Sequence, residues 1–325
     1  MKTAFLGDSQ AYFNMVFSPA LRQQIAGISE LVSKDLITPE KFSSVDLSEV
    51  EAIFGTWGMY SLSDEQLAKM PKLKAVFYAA GATDSFAAPL LTRNIAVSSA
   101  WRANAVPVAE FVMAQIILSL KNYFADSRTF TCHEGYHAVP HGPGVYGETV
   151  ALIGNGAVST HLKKLLESCL NLDIIQIPTE DAKDYALLKD AFSKAYVVSN
   201  HLPNVAETEG LFNEQLFRSM RTHATFINTG RGAQVDEAGL VRALTDRPDL
   251  TALLDVTWPE PPVVDSPLFS LPNVHLSSHR AGSINDETRR MAESAIREFQ
   301  RFEKGLPLEH SVSWKDIAST GTRKQ

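Results

Sequence analysis

Four side chains within residues 224–279 are of the types needed to polarise a carbonyl and move a proton: Arg231, Asp255, Glu260 and His279. A guanidinium grips a carboxylate through paired N–H donors and draws charge from a neighbouring carbonyl. An imidazole that titrates near neutrality serves as general acid or base. The spacing matters as much as the types. Three apolar runs, ATFIN, ALLDV and VHLSS, each end at such a group: Arg231 follows the first, Asp255 closes the second with Glu260 just beyond, and His279 follows the third. Ligands of a parallel α/β sheet bind in the crevice at the carboxyl ends of its strands, so three such strands would gather a cation, carboxylates and an imidazole there.

A second constellation lies upstream. TVALIG reads as a strand, Gly154-Asn155-Gly156 as a tight turn, and THLKKLLESCL as a helix with Leu162, Leu165, Leu166 and Leu170 on one face. Glycines let a backbone approach phosphate, and a helix N-terminus presents free N–H groups and a positive dipole. Ser159 occupies the third glycine position of that fingerprint. The next strand, LDIIQI, ends at Ile177-Pro178 with neither an acid for a ribose 2′-hydroxyl nor an arginine for a 2′-phosphate, and Lys183 is the nearest cation. The missing cation favours NAD over NADP.

The elements that must position these groups follow from periodicity. Strands are expected at 3–7, 51–55, KAVFYAAG and 95–99, with a helix over 18–31 from Leu21, Ile25, Ile28 and Leu31. Ser63 and Gln66 form a capping box ahead of a short helix. KAVFYAAG ends in Ala79, Ala80 and Gly81, small enough to let a ligand reach the backbone. Trp57 and Gly58 lie on the loop after the second strand. Residues 107–123 are apolar almost all round, the pattern of a helix buried between domains or subunits. Residues 124–147 read as a loop or arm. Its His133, His137 and His141 lack the spacing and the companion carboxylates of a metal site, so none is expected. AYVVSNHLP is a further strand ending at Asn200 and His201, a helix is expected around 213–220, and Asp236 is a natural N-cap for DEAGLVRAL. An amphipathic helix runs to Gly305, and the last fifteen residues are polar and expected on the surface.

The 325 residues fit two domains, and a net charge of −7 with scattered Lys and Arg argues against a nucleic-acid binder. The longest apolar segment, 111–120, is too short to span a bilayer, and no signal peptide opens the chain. Cys132 and Cys169 form no disulfide framework, which fits a cytoplasmic setting.

FINTGRGAQVDEAGLVRAL, LLDVTWPEPP, SPLFSLPNVHLSSHRAG and VVSNHLPNVAET together resemble the D-isomer-specific 2-hydroxyacid dehydrogenases, in order from about Leu73 to Gly305. The resemblance implies two doubly wound, Rossmann-like α/β domains with a central cleft. A flavodoxin-like substrate domain would comprise residues 1–100 and 285–325, and a dinucleotide-binding domain residues 101–284. It implies hydride transfer between NAD or NADP and a small 2-keto or D-2-hydroxy acid, in a homodimer that uses the 124–147 arm. Arg231 would hold the substrate carboxylate, His279 would move the proton, and Glu260 would orient the ring. Gly154, Asn155, Gly156, Ala157, Val158, Asn200, His201, Pro203, Thr229, Gly230, Asp255 and Gly282 match cofactor-lining positions, with Asp255 facing the nicotinamide carboxamide. Asn104 and Val108 match positions near the nicotinamide. Ala80 and Gly81 match the turn whose N–H groups meet the substrate carboxylate, although AAGATDS departs from the usual G-x-D pattern. A second reading, a nicotinamide sensor or regulatory scaffold on the same fold, rests on Ser159 and the bare adenosine end.

Overall fold

Two sheets, each with every strand parallel to its neighbours, make up the computed structural model, which describes residues 1–318. The carboxyl ends of all strands in a sheet therefore line one edge. The chain divides into a unit of residues 1–104 with the segment from 283 onward, and a unit of residues 105–282.

In the first unit the strands are β1 (Lys2–Leu6), β2 (Glu30–Ile37), β3 (Ala52–Gly55), β4 (Ala75–Tyr78) and β5 (Ala96–Ser99). Their order is β2-β1-β3-β4-β5, the flavodoxin-like arrangement. Helices α1 (Gln10–Val16), α2 (Pro19–Ile28), α3 (Asp64–Ala68) and α4 (Ala87–Thr92) connect them. The Ser63–Gln66 capping box at α3 is present in both directions. The helix expected to reach Leu31 stops at Ile28, and Leu31 belongs to β2. Glu30 N–H bonds Met1 O at 3.0 Å, so sheet pairing with β1 claims the backbone that one more helical turn would have used. Strand β2 and helix α1 are absent from the sequence reading. Only Leu36 and Ile37 of β2 are buried, so it shows no alternation to find.

The second unit starts within α5 (Trp101–Leu120) and continues through α6 (Tyr123–Thr129), β6 (Glu148–Ile153), α7 (Ala157–Cys169), β7 (Leu172–Ile177), α8 (Tyr185–Lys194) and β8 (Val197–Asn200). It ends with α9 (Glu214–Ser219), β9 (Thr225–Asn228), α10 (Glu237–Asp246), β10 (Thr251–Leu254) and β11 (Val274–Leu276). The sheet order β11-β10-β9-β8-β6-β7 reverses direction between β6 and β8, the switch point where open α/β sheets bind ligands. Side chains alternate across it. Val150 and Leu152 pack with Val112, Ile116 and Leu162 on one face, and Ala151 and Ile153 with Phe192, Phe212 and Phe226 on the other.

Helix α5 begins at Trp101, not at Pro107, which lies inside it. An interior proline costs about 3 kcal/mol, but burial of Val108, Ala109, Val112, Ile116 and Leu120 in the core offsets that local penalty. By length and composition this helix would pass for a membrane span, yet one face packs as a core helix. The expected loop after it contains α6, whose Phe124 ring sits 5.1 Å from His275 of β11.

The chain then returns to the first unit through α11 (Arg289–Glu303) and α12 (Trp314–Ala318). The Phe299 ring of α11 lies tilted 5.2 Å from Phe54 and edge-on 5.5 Å from Phe77. The final segment is not merely superficial. Val312 is buried and its N–H bonds Val97 O at 2.7 Å, while residues 319–325 lie outside those described.

Candidate active site

The pyrophosphate-type loop follows β6 at the switch point. Gly154 adopts φ +109, and a Cβ there would lie 2.6 Å from His201 O, so only glycine fits between β6 and β8. Gly156 caps α7 without a side-chain acceptor, and the space beside its Cα is open. The first N–H groups of α7, at Ala157 and Val158, have no intrahelical partner. Ser159, in the third glycine position, is fully buried and accepts from Gln176 Nε2 at 3.2 Å. It packs helix against strand as the glycine would. Thr229 Oγ1, just beyond β9, is buried with no hydrogen-bond partner among the described residues. An open helix N-terminus at a switch point, a cradle that a side chain would fill and an orphaned hydroxyl suit a dinucleotide.

The adenosine end is better furnished than the sequence suggests. Residues 179–181 form one turn of 3₁₀ helix after β7, and Asn155 bonds across to it: its Oδ1 accepts from Thr179 Oγ1 at 3.0 Å and its Nδ2 donates to Glu180 Oε2 at 3.5 Å. Glu180, just past the expected position, thus places a carboxylate beside the glycine loop.

Arg231, Asp255, Glu260 and His279 all follow strands β9, β10 and β11, which are neighbours in the sheet. The Arg231 guanidinium donates to Gly230 O at 2.8 Å and meets no carboxylate among the described residues, so its charge is available to a ligand. A Cβ on Gly232 would fall 2.0 Å from the Thr257 carbonyl carbon, which fixes glycine beside the arginine. His279 Nδ1 lies 2.8 Å from Glu260 Oε1, with both side chains partly exposed. The pairing leaves Nε2 as the outward nitrogen.

Asp255 holds the imidazole's backbone. It is 2 % exposed, and its carboxylate accepts from Ser277 Oγ at 2.6 Å, Arg280 N at 2.8 Å and Ala281 N at 3.0 Å, while His279 N donates to Asp255 O at 3.0 Å. His279 itself sits at φ +53, a left-handed conformation unusual for a residue with a side chain. The clamp on both sides keeps it there. Most of Asp255's accepting capacity is spent inside the protein rather than on a carboxamide.

Asn200 is likewise consumed. Fully buried, it donates to Asn228 Oδ1 and Gln234 Oε1 and accepts from Leu202 N at 3.0 Å, leaving no side-chain atom for a cofactor. His201 is 9 % exposed, its Nε2 2.9 Å from Ser199 Oγ, and burial pushes its imidazole down to about 3. The unfolded chain takes up a proton near pH 6.5 that the native state refuses, so stability falls as pH drops from about 6.5 towards 3. Urea unfolding should show a loss of about 2 kcal/mol from this group between pH 7 and pH 5. The His201→Gln variant should lack that increment; an equal loss in the variant would assign the acid sensitivity elsewhere.

In the first unit, Ser99 Oγ donates to Ala80 O at 2.9 Å and Gly81 O at 2.5 Å, and no acceptor among the described residues takes the N–H of Ala80 or Gly81. The turn is pinned by its carbonyls with its donors free, as capture of a carboxylate requires. Asn104 is occupied structurally, accepting from Ser283 N at 2.9 Å. Trp57 packs edge-on to Tyr12 with ring centroids 5.8 Å apart. Pro203 and Gly282 lie on the segments after β8 and β11. Among the described residues, His, Cys, Asp and Glu nowhere assemble in threes able to hold a metal. Sequence reasoning missed Gln234, Ser277 and Ser99. Gln234 carried a signal, since it stands three residues after Arg231 as the second half of a capping box does.

A parallel sheet with a dinucleotide cradle at its switch point and an arginine, carboxylate and histidine at neighbouring strand ends defines a nicotinamide-dependent oxidoreductase of the α/β class. The sequence model of the D-isomer specific 2-hydroxyacid dehydrogenase, NAD binding domain, matches residues 113–281. Glyoxylate/hydroxypyruvate reductase B of Citrobacter koseri is 32% identical over 243 residues, covering 71% of this chain and 75% of that protein. Among solved structures, D-mandelate dehydrogenase of Rhodotorula graminis superposes with TM-score 0.77 at 19% identity, covering 96% of this chain and 97% of that one. The NAD-complexed D-isomer specific 2-hydroxyacid dehydrogenase of Lactobacillus delbrueckii ssp. bulgaricus gives 0.76 at 18% identity, covering 96% and 100%. The chain belongs to the D-isomer specific 2-hydroxyacid dehydrogenases, and is an enzyme that uses NAD(P) to interconvert 2-hydroxy and 2-keto acids.

Proposed function

We propose that the protein reduces a small 2-keto acid to the D-2-hydroxy acid with NADH, and runs the reverse oxidation, through Arg231, Glu260 and His279. The observation that carries this reading is the 2.8 Å His279–Glu260 pair beyond the ends of β11 and β10, with Arg231 beyond the end of the adjoining β9 and no carboxylate on it among the described residues. The cofactor, when bound, supplies the hydride to the carbonyl carbon. Arg231 anchors the substrate carboxylate and draws charge from the carbonyl oxygen. His279, oriented by Glu260 at Nδ1, donates the Nε2 proton to that oxygen as the alkoxide forms, and takes it back in oxidation. In the first unit, the N–H groups of Ala80 and Gly81, free among the described residues, suit a carboxylate as well. Residues 154–158 hold the pyrophosphate with Thr229, Gly230, His201, Pro203 and Gly282 lining the site. Glu180 and Asp181 after β7, with no cation in that turn, favour NAD over NADP. Glyoxylate and hydroxypyruvate are the first substrates to offer, given the named relative. The relatives carry enzyme names, and nothing in the site favours the sensor reading.

Consumption of NADH or NADPH by the purified protein with a panel of 2-keto acids tests the reading; tight nicotinamide binding without turnover would overturn it. Arg231→Lys should lower kcat/KM on the best keto acid by about a hundredfold, because a point ammonium cannot reproduce the two-pronged grip. Unchanged efficiency would remove Arg231 from the site. A homodimer is part of the proposal: Tyr123, Phe130, Tyr136 and Tyr146 expose large rings along the arm. So is a cytoplasmic setting, which the free thiols of Cys132 and Cys169 suit.

A further inference from the structure

Behind Arg231 lies a buried polar network that none of the roles above uses. Asn200, Asn228 and Gln234 are each 0% exposed at the ends of β8 and β9 and in the turn of 3₁₀ helix that follows. Gln234 sits at its centre with every hydrogen-bonding site filled. Its Oε1 accepts from Asn200 Nδ2 at 2.5 Å and from Arg231 N at 3.1 Å. Its Nε2 donates to Pro203 O at 2.7 Å and Leu202 O at 3.1 Å. Asn228 closes the other side, donating to Arg231 O at 3.1 Å and accepting from Gly230 N at 3.1 Å. The backbone of Arg231 is therefore held at both its N–H and its carbonyl by side chains buried beneath it. A Cβ on Gly230 would lie 2.7 Å from Asn200 Nδ2 and 2.8 Å from Gln234 Oε1, so the main chain rests directly on the network.

We propose that Gln234 is the positioning residue for Arg231, its buried amide joining the turn after β8 and the Arg231 backbone into one rigid piece. Among the described residues the guanidinium has no carboxylate partner to aim it. Its direction is set by its backbone, and the backbone is set by Gln234 and Asn228. Removal of the amide frees Arg231 N and the Leu202 and Pro203 carbonyls together, so the turn that lines the cofactor and the residue that grips the substrate lose their common support. The inference rests on the reading that Arg231 holds the substrate carboxylate.

The test compares Gln234→Leu, Gln234→Glu and Arg231→Ala with the parent enzyme under saturating NADH. Oxamate, an unreactive mimic of a 2-keto acid, is titrated by calorimetry, and the KM of the best keto acid is measured alongside. Gln234→Leu should raise both the oxamate Kd and the KM about tenfold, as expected for an anchor displaced by a fraction of an ångström. A residue that served stability alone would lower the yield of folded enzyme and leave both constants in place, and values within twofold of the parent overturn the proposal. Gln234→Glu keeps the acceptor for Arg231 but loses the amide donors. Its buried carboxyl, held protonated at low pH, regains one of them. The ratio of its kcat/KM to the parent's should therefore rise as pH falls, and a flat ratio overturns the proposal even where Gln234→Leu fails to fold. Arg231→Ala separates the two levels of the argument. Oxamate affinity retained in that variant defeats the assignment of Arg231 itself, whereas affinity lost there and unchanged in Gln234→Leu defeats only the role of Gln234.

Discussion

Replacing His279 with alanine should lower turnover of the keto acid by at least about a hundredfold, the scale of lost general acid catalysis, and leave NADH affinity within about twofold of the parent. The asymmetry follows from where the ring sits. Among the described residues its side-chain partner is Glu260, at 2.8 Å, and in the proposed mechanism its outward nitrogen serves the substrate rather than the glycine loop after β6. Without the imidazole, the alkoxide formed at the substrate must find its proton in water. Stopped-flow reduction measures the first quantity and fluorescence titration of NADH the second. Turnover equal to the parent's would take proton transfer away from His279, and a parallel collapse of NADH binding would show that the ring supports the cofactor instead.

The second large effect concerns Asp255. Asp255→Asn should cost about 3 kcal/mol of stability, since three donors converge on one buried carboxylate and bonds to a charged acceptor are the strong ones. An asparagine offers one accepting oxygen and turns its own N–H₂ towards N–H groups. His279 would relax from its left-handed conformation, and turnover should fall on the order of a hundredfold, as a misplaced catalytic group does. Urea unfolding and turnover, measured on the same preparation, check both. A variant as stable as the parent, with weakened NADH binding alone, would return Asp255 to the carboxamide role that the motif suggests.

These two residues also show what was legible in the sequence. Arg231, Glu260 and His279 were readable because each follows an apolar run and stands in a distinctive motif. Parallel pairing of β9, β10 and β11 then had to bring them to one edge. Asp255 was readable as a functional carboxylate, but its partners were not: Ser277 and the N–H groups of Arg280 and Ala281 lie more than twenty residues away, and only the fold brings them together. The spacing of Gln234 after Arg231 was legible and Asn228 closes an apolar run, but the burial that ties both into one network was not, since a string of letters does not display it. The misread elements were those where a local rule met a stronger tertiary term. Pro107 marks a helix start by propensity, yet packing carries α5 through it. Leu31 suits the period of α2, yet pairing with β1 takes it into a strand. Glu180 stands beyond the register expected of a ribose acid, and only the fold shows Asn155 linking it to the glycine loop.

The first unit is interrupted by residues 105–282, and its sheet closes only with α11. Phe54 and Phe77 pack on Phe299, a residue made long after them. At about 5–20 residues per second, a ribosome needs roughly ten to forty seconds to make the intervening chain. Throughout that interval the aromatic face of β3 and β4 stands without its covering helix, while the nascent second unit can already complete its own core. Biosynthesis thus imposes an order that the native contacts alone do not display. The beginning of the chain waits for its end, and until then an apolar face of the nascent N-terminal segment stands open to aggregation.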